Sequence, residues 1–200
     1  MELFDTMVNA DGGISITKYS GESVDVEIPS LFEGKLVTAI GDEAFAGKRL
    51  TSVVIPDSVT DIGEGAFYDN DLERVVIGKG VTSIGNGAFA HNRLKKVVIP
   101  LQVVSIGDAA FAYNQLTILL IGRGVTAIGD RAFYGNELTS VLIGRGVVSI
   151  GERAFAGNEL ACVRIGKGVT LKDNALGEGF DRFYNAGGRQ AGKYVSTTLH

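Results

Sequence analysis

A spacing of 22 residues runs through this chain and leaves few folds open to it. Phe45, Phe67, Phe89, Phe111, Phe133 and Phe155 keep that interval, and so do Ile40, Ile62, Ile84, Ile106, Ile128 and Ile150, each followed by Gly. Leu50, Leu72, Leu94, Leu116, Leu138 and Leu160 form a third column, and Ile55, Ile77, Ile99, Ile121, Ile143 and Ile165 a fourth. Asn70, Asn92, Asn114, Asn136 and Asn158 add a fifth, with Lys48 standing in the first copy. One unit reads L-x-x-V-x-I-[GP]-x-x-V-x-x-I-G-x-x-A-F-x-x-N-x. A unit so short cannot bury its own apolar face, so successive copies must stack and share one core. The expectation is a mainly β repeat solenoid, a single domain over 1–200. It divides into an N-terminal cap (1–36), six repeats (37–168) and a C-terminal cap (169–200).

Side-chain alternation assigns the surfaces. In V-x-I the outer two residues point to the core and the middle one points away, so V-x-I reads as one short strand per coil in a parallel sheet. Gly or Pro turns the chain, and V-x-x-I then crosses to the other side as a second short strand. In I-G-[DEN]-x-A-F, the residues Asp42, Asn86, Asp108 and Asp130 stand where an N-cap belongs, with Glu64 and Glu152 suiting that role less. This predicts short helical turns carrying the Ala-Phe pair. The Phe rings should stack as a spine. The Asn column either satisfies neighbouring backbone groups or adopts a left-handed conformation.

From Leu50 to Phe67 the chain reads L-x-x-V-x-I-P-x-x-V-x-x-I-G-x-x-A-F. This resembles the bacterial leucine-rich repeats of the BspA-like, treponemal type, over about residues 14–168. Two departures stand out: that family usually runs 23 residues, and often has Cys where this chain has Asn. The resemblance implies a right-handed leucine-rich-repeat solenoid with a concave parallel sheet formed by V-x-I. It also implies secreted or surface-anchored proteins that attach to host matrix proteins or other cells, without catalysis.

Both ends break the period, as capping requires. Ile14–Tyr19 and Val24–Ile28 flank Ser20-Gly21-Glu22, which reads as an N-terminal hairpin, and extra residues fall in 30–36. At the other end Lys172 and Gly177 stand where Ile and Phe are due. Phe180, Phe183 and Tyr184, then Asn185-Ala186-Gly187-Gly188, then Tyr194 and Val195, read as a capping hairpin.

Composition argues mostly by exclusion. The 28 Gly residues fit turns at regular intervals. A net charge of −4 gives no overall attraction to nucleic acid or anionic lipid. The longest aliphatic run, Ile118–Ile121, is far too short to enter and span a bilayer. The start, MELFDTMVNADGG, lacks a basic n-region and an apolar h-region, so no signal peptide is read there. One cysteine, Cys162, and two histidines build neither a disulfide nor a zinc cluster, and no cofactor motif is present. His91 occupies a variable slot far from any nucleophile motif, and His200 is the last residue, so the chain reads as a non-enzyme. The acidic row at 42, 64, 108, 130 and 152 is read as caps and not as a calcium ladder. The G-[KR]-G turns lack the strand-to-helix context of a phosphate loop.

Two surfaces remain as binding candidates. The outward strand slot holds Val54, Val76, Val98, Leu120 and Leu142, then Arg164, and a neighbouring slot carries Arg74, Lys96 and Ile118. The core does not need an aliphatic column there, and soluble monomers rarely leave such a strip exposed. The reading is a protein-binding or adhesion module that takes a protein or host-matrix ligand on its concave sheet. Two alternatives for the column are simple strand propensity and self-cover in a homodimer, which would make the chain a structural spacer or self-associating surface component. Separately, Lys79, Arg123, Arg145 and Lys167 share one turn slot and form a basic rim, for which an anionic glycan is the alternative ligand. Cys162 belongs to the outward side, either as a free thiol or partly covered by the C-terminal cap.

Overall fold

A computed structural model describes residues 3–177 and 180–195; the side chains of Phe183 and Val195, and His200, lie outside the described residues. The chain opens with β1 (Phe4–Val8), β2 (Ile14–Tyr19), β3 (Asp25–Glu27), β4 (Leu31–Phe32) and β5 (Lys35–Ile40). Each repeat then contributes two short strands: β6 (Ser52–Val54) and β7 (Asp61–Ile62), β8 (Arg74–Val76) and β9 (Ser83–Ile84), β10 (Lys96–Val98) and β11 (Ser105–Ile106). They continue as β12 (Ile118–Leu120) and β13 (Ala127–Ile128), β14 (Ser140–Leu142) and β15 (Ser149–Ile150), β16 (Cys162–Ile165) and β17 (Thr170–Leu171). Helix α1 (Phe180–Ala186) and β18 (Gly192–Val195) close the described chain.

The V-x-x-I strands form the continuous sheet, β2-β5-β7-β9-β11-β13-β15-β17 in parallel, with β1 antiparallel on its first edge. The V-x-I strands were expected to form one sheet, and this needs correcting. They pair as β3-β6-β8, β10-β12 and β14-β16-β18, with no ladder from β8 to β10 or from β12 to β14. Strands in a sheet sit about 4.7–4.9 Å apart, whereas the core rings stack at 5.0, 5.1, 5.1, 5.5 and 5.1 Å. The ring spacing does not mark the gaps, since it is 5.1 Å both across the β8–β10 gap and where β10 pairs with β12. Val75, Leu119 and Ile121, on the N-terminal side of the gaps, are half-buried, while Val97 and Val141 on the far side are buried.

The spine is as expected, with all six Phe residues fully buried. Tyr19 extends it, stacking on Phe45 at 5.3 Å. The Asn column takes the first of its two roles. Asn114 Oδ1 accepts from Leu94 N–H of the preceding coil, and its Nδ2 donates to the carbonyls of Phe89 and Phe111. Left-handed conformations fall one residue earlier, at Asp69, His91 and Tyr113.

The predicted helical turns are not helical. After Ile-Gly-[DEN] the chain passes through φ of +53° at Glu43, +51° at Ala109 and +56° at Arg131, outside the right-handed helix basin. The turn is closed by Ala44 N–H donating to Gly41 C=O (3.3 Å). The Asp and Asn residues therefore do not cap their own turn. Asp42, Asn86, Asp108 and Asp130 each accept, through Oδ1, the backbone N–H of the equivalent residue one coil on, at 2.7–2.8 Å. Among the described residues Glu64 and Glu152 accept no such bond.

Both ends also correct the sequence reading. The N-terminal hairpin is β1–β2, turning at 9–13, whereas β2 and β3 lie in different sheets and form a first coil of their own. The extra residues at 30–36 form a small β4–β5 hairpin, whose central residues Glu33 (φ +50°) and Gly34 (φ +78°) give the two left-handed positions of a tight turn. At the C-terminus the array continues past 168 with one residue deleted, so Leu171 pairs with Ile150 and Leu176 takes the buried position due to Phe. The cap itself is α1 followed by β18, which runs antiparallel along the open edge of β16, and not a hairpin. Lys172 reaches back over two coils to Asp130 (2.9 Å), and that cation holds the carboxyl below its ordinary range.

Candidate functional site

The outward slots of the V-x-I strands are filled as the alternation demands. Val54, Val76, Val98, Leu120 and Leu142 are 38–63% exposed, while their strand neighbours on either side face the core. Register aligns them: Val54 lies opposite Val76, Val98 opposite Leu120, and Leu142 opposite Arg164. Ile118, 49% exposed, widens the strip. Arg74, Lys96 and Arg164 are exposed along it. At its N-terminal end Asp25 accepts hydrogen bonds from the hydroxyls of Ser52 and Thr51, which hold its carboxyl below the usual range. The strip crosses both gaps in the V-x-I pairing, so it is carried on three short sheets.

Lys79, Arg123, Arg145 and Lys167 are all exposed, in equivalent turns of different coils. Arg145 and Lys167 meet Arg164, Leu142 and Lys193 around a cavity of about 690 Å³. Lys79 and Arg123 lie outside it. Lys193 had no signal in the sequence, because β18 stands outside the period. Cys162 is half-buried and free, with Val195 of the capping strand as its backbone partner.

A second feature escaped the sequence reading. Tyr68, His91, Tyr113 and Tyr134 form a surface row across adjacent coils, with His91 stacked on Tyr113 at 4.6 Å and edge-on to Tyr68 at 5.3 Å. Tyr68 and Tyr134 occupy one slot and His91 and Tyr113 the next, so no single column contains the whole row. His91 has aromatic neighbours and a φ of +56°. Among the described residues no group of three or more His, Cys, Asp or Glu side chains is placed to share a metal ion. No helix there is long and apolar enough to cross a membrane.

A family model described as BspA type leucine rich repeat region matches residues 38–162 in six copies. Among solved structures, a leucine-rich cell surface protein from Faecalibacterium prausnitzii A2-165 is similar at 31% identity and a TM-score of 0.59, over 82% of this chain and 55% of that one. The leucine-rich repeat protein of T. pallidum is similar at 26% identity and a TM-score of 0.56, over 86% of this chain and 79% of its own. The pneumococcal vaccine antigen PcpA, at 19% identity and a TM-score of 0.66, shares the fold over 84% of this chain and 51% of its own. The chain thus spans about half the length of the first and third of these. No curated protein sequence matches it. Leucine-rich repeat proteins are in general non-catalytic interaction or surface modules.

Proposed function

Because the chain belongs to the BspA-type leucine-rich repeat family, we propose that it is a non-enzymatic, cell-surface binding module that holds a protein partner against its V-x-I face. One observation carries the reading: the column Val54, Val76, Val98, Leu120 and Leu142 is exposed although the fold does not require it to be apolar. Apolar strips of that kind on soluble proteins mark interaction sites, and a greasy centre beside Arg74 and Lys96 has the composition of an interface core with a polar margin. The similar protein from Faecalibacterium prausnitzii, described as a cell surface protein, supports an extracellular partner.

The test is binding of the purified chain to a panel of immobilised extracellular-matrix proteins. Replacing Val98 and Leu120 together by Glu should leave the melting temperature within a few degrees, since exposed substitutions usually shift stability by less than about 0.5 kcal/mol. It should weaken binding by about thirtyfold, roughly 2 kcal/mol at a central anchor. Unchanged binding by that variant overturns the assignment. Light scattering over a concentration series separates the self-associating reading: a dimer abolished by the same pair of substitutions would mean that the strip is covered by a second copy.

A further inference from the structure

At the C-terminal end of the solenoid, cations gather where no carboxylate among the described residues lines the wall. The cavity of about 690 Å³ is bordered by Arg145, Arg164, Lys167 and Lys193, over an aliphatic floor from Leu142 and Ile165. The three ion pairs among the described residues, Arg93–Asp71, Arg153–Glu152 and Lys172–Asp130, leave all four of these cations free. The protein as a whole carries −4, so this concentration of positive charge is local.

The strand register sharpens the point. Arg164 on β16 lies directly opposite Lys193 on β18. Opposed residues of an antiparallel pair share one face, with Cβ atoms about 4.5–5.5 Å apart, and like charges placed so repel. A neutral pair would seal the β16 edge better; a bound anion would relieve the repulsion. Arg145 and Lys167 approach from equivalent turns of successive coils, and the second turn is fixed. Tyr184 Oη donates to Gly166 C=O and accepts from Val169 N–H, both at 2.9 Å, while Gly168 N–H donates to Arg189 C=O. Lys167 is therefore carried on a backbone braced by the cap.

We propose that this cavity binds the sulfate or carboxylate groups of an anionic glycan. Two guanidinium forks suit such groups bidentately, and two ammonium groups add charge without fixed geometry. The aliphatic floor suits the apolar face of a sugar ring. Among the described residues no aromatic ring lines the cavity to stack a base, which disfavours single-stranded nucleic acid. A volume within the ordinary range of small-ligand pockets, about 300–1,000 Å³, fits a short stretch of chain. Arg123 and Lys79, one and three coils further along the rim, lie outside the cavity and supply only long-range attraction.

The probe is a sulfated, heparin-derived octasaccharide, titrated calorimetrically at low salt into the wild-type protein and two charge-matched variants. Lys167→Gln with Lys193→Gln should lower affinity by about tenfold or more. Lys79→Gln with Arg123→Gln, the same charge change outside the cavity, should stay within about twofold. The Val98 and Leu120 variant should bind the octasaccharide like wild type, so this result and that of the proposed protein interface stand apart. Melting curves identify any variant whose cap has loosened, and Arg145→Gln, away from the β16–β18 pairing, then replaces it. Equal losses from both charge pairs, binding of the desulfated octasaccharide as tight as the sulfated one, or tighter binding of a poly-glutamate peptide would each overturn the proposal.

Discussion

Replacing Asn114 by Ala tests the internal ladder at a point where the accounting is tight. Its Oδ1 is the acceptor for Leu94 N–H at 3.0 Å, and Leu94 is fully buried. Its Nδ2 donates to Phe89 C=O and Phe111 C=O, yet each of those carbonyls also accepts from a second Asn: Asn92 for Phe89, Asn136 for Phe111. The substitution thus strands one buried donor and leaves the carbonyls served. A buried unsatisfied donor costs about 1–3 kcal/mol, which sets the expected loss. Asn70 differs, because Lys48 stands where the previous coil would have its Asn. Asn70 Oδ1 accepts from both Lys48 N–H and Leu50 N–H, and its Nδ2 donates to Phe45 C=O with no second Asn to share it. Asn70→Ala strands more groups and should cost roughly 1 kcal/mol more than Asn114→Ala. Urea unfolding followed by circular dichroism, with the midpoint shift multiplied by the slope, measures both. A loss below about 0.5 kcal/mol at Asn114, or a smaller loss at Asn70 than at Asn114, would refute this reasoning.

Phe111→Ala removes a ring stacked on Phe89 at 5.1 Å and on Phe133 at 5.5 Å; urea unfolding should show a loss of about 3–5 kcal/mol. Deleting 169–200 uncovers the β16 edge now paired to β18, and light scattering should show aggregation, where a soluble, cooperatively melting monomer would contradict the capping role. Asp130 is held below its ordinary pKa, first by Lys172 and then by the Glu152 N–H. Its contribution is therefore present above the unfolded value near 4 and lost as pH falls through the lower folded one. The melting temperature of Lys172→Gln should accordingly lie below wild type at pH 6, and the difference should shrink as pH falls and Asp130 becomes protonated.

The repeat itself was legible because every coil presents the same columns, and the spine at Phe45–Phe155 needs nothing beyond stacking in register. What escaped the sequence lies where the pattern is replaced by longer-range geometry. Tyr19 belongs to the spine, but it follows Ile16 by three residues whereas Phe45 follows Ile40 by five, so the first coil looked like half of a hairpin. One deleted residue before Leu171 made Lys172 and Gly177 look like the end of the array. The turn after Ile-Gly announces its left-handed residue in only two coils, at Gly65 and Gly87, while Glu43, Ala109, Arg131 and Arg153 hold the same conformation in the other four. Asp108 and its equivalents looked like caps because a local reading offers only local donors, and the N–H they take lies in the next coil. The exposed column was legible from alternation alone. The cavity was half legible: Arg145, Arg164 and Lys167 are periodic, while Lys193 arrives on a strand whose pairing no column predicts.

Site-specific photo-crosslinking asks most directly which face the partner occupies. A benzophenone side chain introduced singly at Val98 or Leu120, and for comparison at Thr82 or Thr126 beside the V-x-x-I strands, would be irradiated with the matrix protein that binds from the panel. Crosslinks are expected from 98 and 120 and none from 82 and 126. Crosslinks from 82 and 126 alone would place the partner on the opposite sheet and contradict the proposed interface.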